Sequence, residues 1–202
     1  MRERDAHTPD DDGELVTAAR KGDLAAFERL VLRHQARMLN IAFRIVGVYE
    51  DACEVVQDAF VAAFRGLGGF RGEARFSTWL TTITANLSRN RCQQLAARRR
   101  NEGVSLDAPL SLSDGEIVPD PPSPAPGAEE ELARQETARK VRGCIAALDE
   151  PFREVLVLRD MEDFSYEEIG TVLKIREGTV KSRLFRAREA VKDCLKRALG
   201  EL

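Results

Sequence analysis

An acidic, proline-rich strip cuts this chain in two. Residues 101–130 hold seven carboxylates, no lysine, arginine or aromatic residue, and six of the eight prolines in the chain (Pro109, Pro119, Pro121, Pro122, Pro124, Pro126). Such a segment buries too little apolar surface to offset its ordering entropy, and clustered prolines keep it extended. The 202 residues therefore divide into an acidic tail at 1–12, a block at 13–100, a flexible linker at 101–130 and a block at 131–202. Two small domains on a tether are expected, with no internal repeat.

Charge follows the same division. The formal net charge is −3, yet residues 13–100 carry 14 basic against 8 acidic groups, while the tail has two basic and five acidic. Two cationic or mixed blocks thus flank an anionic strip. No run approaches the roughly 18 apolar residues of a membrane span, and Met1 to Asp5 lead into acids rather than the apolar core of a secretory signal. Cys53, Cys92, Cys144 and Cys194 lie far apart without a CxxC, and the histidines are His7 and His34. That set frames no metal site, so reduced thiols, a cytoplasmic location and no cofactor are expected. Secreted disulfide scaffolds and membrane proteins are excluded.

Periodicity makes both blocks helical. In the first, Gly22 and Asp23 end one helix and cap the next. Phe27, Val31, His34, Met38, Ile41 and Ile45 then recur at steps of three and four, with His34 expected as a satisfied core residue. A second stripe runs Ala52, Val55, Val56, Ala59, Phe60, Ala63, Phe64 and stops at Gly66. After a glycine-rich loop, a third helix begins near Ser77, with Phe76, Leu80, Ile83 and Leu87 inward. In the second block, Leu132, Ala138, Val141, Ile145 and Leu148 form a stripe, and Pro151 sits where a helix restarts without needing its N–H. Ser165-Tyr-Glu-Glu168 spells a capping box. Its short helix, a turn through Lys174 to Gly178, and a basic helix built on Val180, Leu184, Ala187, Val191 and Leu195 have the grammar of a helix-turn-helix. The fold class is all-α.

The surfaces differ in chemistry. Opposite the apolar stripe of the last helix lie Lys181, Ser182, Phe185 and Arg186, with Arg176, Thr179 and Arg183 beside them. Arginine can bond two acceptors on guanine in the major groove, and a phenyl ring can touch a thymine methyl. A merely solvated, arginine-rich face would have no use for Phe185, so this helix is read as a duplex-DNA reader. In the first block no acid lies between Glu73 and Glu102, yet six arginines do, from Arg75 to Arg100. Phe70, Phe76 and Trp79 are interleaved near its start, and Thr82, Asn86, Arg89 and Gln93 make a polar stripe. Cations, amides and aromatics together suit unstacked single strands. Phe76 and Trp79 are nevertheless expected to pack in the core. On the second helix, Asp51, Glu54, Gln57, Asp58 and Val61 share a face that is either solvated or docks a protein.

These residues carry a resemblance. Asp51-Ala-Cys-Glu-Val-Val-Gln-Asp-Ala-Phe60, Phe70-Arg-Gly-Glu73 and Phe76-Ser-Thr-Trp-Leu80 with Asn86 resemble the promoter-melting domain of a bacterial sigma factor of the sigma-70 family. Leu148 to Phe152, Ser165 to Gly170 and Gly178 to Glu189 resemble its fourth domain. With just these two domains, the chain is similar to the extracytoplasmic-function group. The resemblance implies that Asp51, Glu54, Gln57, Asp58 and Val61 dock the clamp of core RNA polymerase, and that the second domain meets its flap. It implies that Phe70, Arg71 and Arg75, with Asn86, Arg89 and Gln93, hold a melted minus-ten strand, including a flipped base. It implies that Arg176, Thr179, Lys181, Ser182, Arg183, Phe185 and Arg186 read a minus-thirty-five duplex. An anti-sigma factor, sometimes anchored at the inner membrane, is an expected partner, and a small-molecule substrate is not.

Two rivals make different demands. A free-standing helix-turn-helix regulator would bind duplex DNA without polymerase and would not need the Asn86/Arg89 stripe. A recombinase with an appended helix-turn-helix needs a nucleophilic serine or tyrosine in an arginine-lined site. The two tyrosines, Tyr49 and Tyr166, precede a helix and belong to a capping box. No P-loop, HExxH or His-paired nucleophile is present, so the chain is not expected to be an enzyme.

Overall fold

The structure is a computed structural model that describes residues 12–101 and 128–200. Most of the tail, most of the linker and the last two residues lie outside the described residues. Eight α-helices follow in order among the described residues: α1 (Gly13–Arg20), α2 (Leu24–Val46), α3 (Tyr49–Gly66), α4 (Phe76–Asn101), α5 (Ala128–Ala146), α6 (Glu150–Leu156), α7 (Tyr166–Leu173) and α8 (Glu177–Leu199). No strand occurs among them. The first four form one bundle and the last four another.

Local chemistry sets the boundaries. The Asp23 carboxylate accepts the Ala26 amide at 3.1 Å and so caps α2. Gly47, at φ 84°, closes that helix by donating to the Phe43 carbonyl. At the start of α7, Ser165 Oγ accepts the Glu168 amide at 3.1 Å, and Glu168 Oε2 accepts the Ser165 amide at 2.8 Å. The expected capping box is therefore present on both sides. Beyond α6, residues Val157–Met161 widen into a π-helical turn.

Leu30, Met38, Ile41, Ile45, Ala52, Phe76 and Leu80 form the sealed centre of the first core. His34 is buried there as expected, its Nε2 2.7 Å from Asp12 Oδ2. The second core gathers Val155, Leu158, Ile169, Val172, Val180 and Leu184, and Ala85 of α4 joins it. The two blocks therefore pack against each other, with α4 lying on α7.

Several expectations change in detail. Asp12, assigned to the tail, is buried and binds both His34 and Arg33. It belongs to the bundle, because the histidine needs a polar partner where water is excluded. Helices run past the expected linker limits, α4 to Asn101 and α5 from Ala128. Leu132 is 67% exposed rather than inward, because residues 132–139 of α5 stand out in solvent before the helix reaches its neighbours. Phe64 is 44% exposed, its ring meeting Phe27 edge-on at 5.0 Å. Cys144 and Cys194 are joined in a disulfide rather than carried as free thiols, their Cα atoms 5.7 Å apart across 50 residues of sequence. Cys53 and Cys92 remain free.

Candidate nucleic-acid and protein interfaces

The helix-turn-helix is built around one close approach. Gly170 lies at the end of α7, and a Cβ there would stand 2.9 Å from the Ile175 carbonyl oxygen. The chain turns back so tightly that the Ile175 amide donates to the Gly170 carbonyl at 3.0 Å, with Lys174 in the left-handed region at φ 54°. This aims α8 outward while Val180, Leu184 and Ala187 seal its inner side.

Its outer side matches the expected reading face. Phe185 is 68% exposed; Arg176, Lys181, Ser182 and Arg186 are also exposed, and Thr179 and Arg183 half-buried. Ser182 Oγ donates to the Thr179 carbonyl at 3.1 Å, which fixes its rotamer. Lys181 Nζ lies 2.7 Å from Glu177 and 5.6 Å from the centre of the Tyr166 ring. The Glu177 carboxylate raises its pKa and keeps it cationic. Two turns beyond Lys181, Arg188 is tied to Asp160 at 2.5 Å. Sequence spacing already sets Arg188 off the face of Arg186, since residues two apart on a helix point to different sides; the Asp160 partner is what the structure adds.

The residues expected to hold a melted strand are split. Phe70 stacks obliquely on Trp79, ring centres 4.9 Å apart, and meets Phe76 edge-on. Phe76 is 1% exposed and Trp79 half-buried, so the expected core role of both holds while Phe70 keeps an open flank. The loop carries exposed Arg71 and Arg75. It borders a cleft of about 260 Å³ whose other wall is α1, with Asp12, Thr17 and Arg20. Asn86 is not part of that wall. It stands two turns beyond Trp79 on α4, ~10 Å along the axis, where Arg89 Nη1 donates to its side-chain oxygen at 3.1 Å. Gln93 is exposed further along.

Arg89 is not free. Its guanidinium binds Glu154 of α6 in a forked pair at 2.8 and 3.0 Å, with Glu150 at 3.5 Å. Glu154 is 2% exposed; burial pushes its carboxyl pKa up, and Arg89 pulls it back. No single-chain pattern predicts this partner, which lies 65 residues away.

The acidic face of α3 is exposed at Glu54, Gln57 and Asp58, with Val61 46% exposed. Asp51 and Glu54 share Arg91 of α4, whose Nε donates to Asp51 at 2.7 Å. Arg91 belongs to the basic patch by sequence, but here it neutralises part of the acidic face. Among the described residues no group of side chains could hold a metal ion, and no helix is long and apolar enough to cross a membrane.

Comparison with known proteins fits this arrangement. Residues 30–99 match the family model described as Sigma-70 region 2, and residues 138–191 match the one described as Sigma-70, region 4. The chain is 37% identical over 194 residues to an RNA polymerase sigma-H factor of Pseudomonas aeruginosa, covering 96% of this chain and 98% of that relative. It is 34% identical over 182 residues to an ECF RNA polymerase sigma-E factor of Haemophilus influenzae, covering 90% and 94%. The solved structure of CnrH in complex with the cytosolic domain of CnrY aligns with a TM-score of 0.64 and 28% identity over 94% of this chain and 99% of that one. The sigma factor RpoE of Bartonella quintana, solved with the anti-sigma factor NepR, shares the fold at a TM-score of 0.62 and 22% identity, over 84% and 96%. Two sigma-70 regions in order, on a chain alike end to end with named sigma factors, make this protein a member of the sigma-70 family, an RNA polymerase sigma factor of the extracytoplasmic-function type.

Proposed function

We propose that the chain divides promoter recognition between its two blocks, 13–100 and 131–202. The outer face of α8 (Arg176, Thr179, Lys181, Ser182, Arg183, Phe185, Arg186) reads a minus-thirty-five duplex. Phe70, Arg71 and Arg75 with Asn86, Arg89 and Gln93 hold the melted minus-ten strand. Stacking returns about 1–3 kcal/mol per base, which offsets the cost of unpairing. Asp51, Glu54, Gln57, Asp58 and Val61 dock the clamp of core polymerase, and the second block meets its flap. The acidic residues around 101–130 act as a tether that raises the effective concentration of the second contact.

The observation that carries this reading is the exposed Phe185 between Ser182 and Arg186, on a helix aimed outward by a capping box and a glycine turn. An exposed phenyl ring flanked by a hydroxyl and a guanidinium suits base edges better than bulk water. Chemistry stays with the polymerase, and the chain acts in the cytoplasm. An anti-sigma factor is a further partner, a reading supported by the solved relatives whose titles name such complexes.

In vitro transcription with purified bacterial core polymerase over a random-promoter library tests the proposal. Start-site-specific transcripts that require this chain, with two enriched upstream motifs, are expected. In the same assay Arg186→Ala should weaken the upstream motif, and Asn86→Ala should impair melting with duplex anchoring intact. Damage confined to duplex binding in both variants would refute the division.

A further inference from the structure

We propose that Cys144 and Cys194 are a peroxide-responsive modification site, whose reversible disulfide staples α5 to α8 and shields the second block from proteolysis while oxidant lasts. The proposal rests on the reading that the chain acts in the cytoplasm beside core polymerase.

That location gives the bond its meaning. Cytosolic thiol pools keep cysteines reduced, and a disulfide formed there is as a rule transient and redox-sensing. Here α5 and α8 bring the pair together across 50 residues, with Cα atoms 5.7 Å apart. Cys53 and Cys92, on α3 and α4, stay free. Cys92 donates to the Ile45 carbonyl at 3.6 Å, and burial pushes its thiol up to about 11, so it is a poor nucleophile. The bond also lies where its helices have least else to hold them. The buried residues of α8 are Val180, Leu184 and Ala187, all in its first half, whereas Val191, Cys194 and Leu195 are half-buried. Between 132 and 146 of α5, only Cys144 and Ile145 are buried. A helix covered so thinly is marginal in water. With the thiols reduced it opens locally, and the bond holds it shut. The reading face from Arg176 to Arg186 lies in the half of α8 that its buried residues seal. Oxidation therefore sets how long the second block survives, not what it reads, and in cells such a change alters abundance several-fold.

Exposure sets the order of events. Cys144 is 3% exposed and Cys194 half-buried, so hydrogen peroxide meets Cys194 first. The Cys194 thiolate attacks the O–O bond; an S–O bond forms, and the departing hydroxide takes up the thiol proton as water. Cys144 then attacks the resulting sulfenic acid. The S–S bond forms, the S–O bond breaks and a second water leaves. Two thiols and one peroxide thus give one disulfide and two waters, each sulfur losing one electron and the peroxide gaining two. A dithiol of the thioredoxin class reverses the change by exchange, returning both thiols and becoming the disulfide itself.

The test uses the full-length chain with Cys53→Ser and Cys92→Ser, so that the pair holds its only thiols; peptide mapping of wild type gives the same readout should that variant unfold. Alkylation and intact mass count the free thiols. Both are expected in the reduced protein, neither after hydrogen peroxide, and both again after thioredoxin and its reductase. Trypsin should cut after Lys140 and Arg142 about tenfold more slowly in the oxidised form, because cleavage there follows local opening. With dimedone present, Cys144→Ser should trap a sulfenic acid at Cys194, and Cys194→Ser none at Cys144. Thiols that peroxide leaves open to alkylation, equal cleavage in the two states, or a bond that thioredoxin does not reopen each overturn the site. In growing cells, acid-quenched alkylation should find the pair reduced before peroxide and bonded after it. A pair already bonded before peroxide, in protein that thioredoxin reopens when purified, shows that the cytoplasmic reading has failed rather than the chemistry of the pair.

Discussion

Arg153 of α6 donates through Nη1 to the main-chain carbonyl of Ile45 near the end of α2, at 2.6 Å and across the boundary between the two blocks. Its Nη2 serves the carbonyls of Ala146 and Leu148, each at 2.7 Å. One guanidinium thus satisfies the ends of two helices in different blocks, with burial lowering its pKa. Truncation would take the donor from the Ala146 and Leu148 carbonyls and leave Ile45 with only the Cys92 thiol, 3.6 Å away, around a side chain that is 9% exposed. Arg153→Ala should cost about 3 kcal/mol in urea unfolding. Arg153→Lys should rescue little, because an ammonium cannot span that fork.

The turn of the helix-turn-helix depends on a missing side chain. A methyl at position 170 would meet backbone, the Ile175 carbonyl oxygen at 2.9 Å, so it is the turn that would have to move. Gly170→Ala is expected to destabilise the second block by about 1–3 kcal/mol. Duplex binding should fall with it, as read by thermal unfolding and by a gel shift on promoter DNA with holoenzyme.

Two phenylalanines should separate reading from packing. Phe185 is 68% exposed and Phe76 1%. Phe185→Ala should leave stability within about 0.5 kcal/mol and lower upstream-motif affinity roughly tenfold. Phe76→Ala should lose about 3–5 kcal/mol of stability. Parallel calorimetry and promoter binding check the contrast.

The Cys144–Cys194 bond ties α5 to α8 across 50 residues. Closing a loop of that length restricts the unfolded chain by about 4 kcal/mol in the chain-entropy model. Dithiothreitol should therefore lower the midpoint of thermal unfolding, and Cys144→Ser should match the reduced protein.

Burial pushes the Cys92 thiol up to about 11, which makes it the slow thiol of the two free ones. At pH 8 about 0.1% of it is thiolate, against roughly a quarter for an ordinary cysteine. Iodoacetamide should modify Cys53 before Cys92 in the native protein, as peptide mass spectrometry will show. The stability linked to this shift has a definite sign. It is fully present below the unfolded value near 8.5 and lost as pH climbs toward 11, so Cys92→Ala should flatten the alkaline fall in unfolding midpoint.

Much of this architecture is written locally. The steps of three and four through Met38, Ile41 and Ile45 place α2, and Ser165 with Glu168 marks the start of α7, because capping and burial act within a turn of helix. The outer face of α8 was legible for the same reason: Val180, Leu184 and Ala187 commit one side to the core and leave Lys181, Phe185 and Arg186 on the other. Asp12 was misread as tail because its partner, His34, is 22 residues away. Leu132 fitted an apolar stripe, but a stripe is silent about whether anything lies opposite it.

Residue order alone was enough for helix positions, the helix-turn-helix and the chemistry of each exposed face, since those follow from periodicity and from contacts a few residues apart. Partnership needed the folded molecule. That Arg89 meets Glu154, Arg91 meets Asp51 and Cys144 reaches Cys194 depends on how two bundles and their helices come together in space. Charges and thiols carry no mark of a distant partner, and long-range pairing is decided by packing rather than by spacing along the chain.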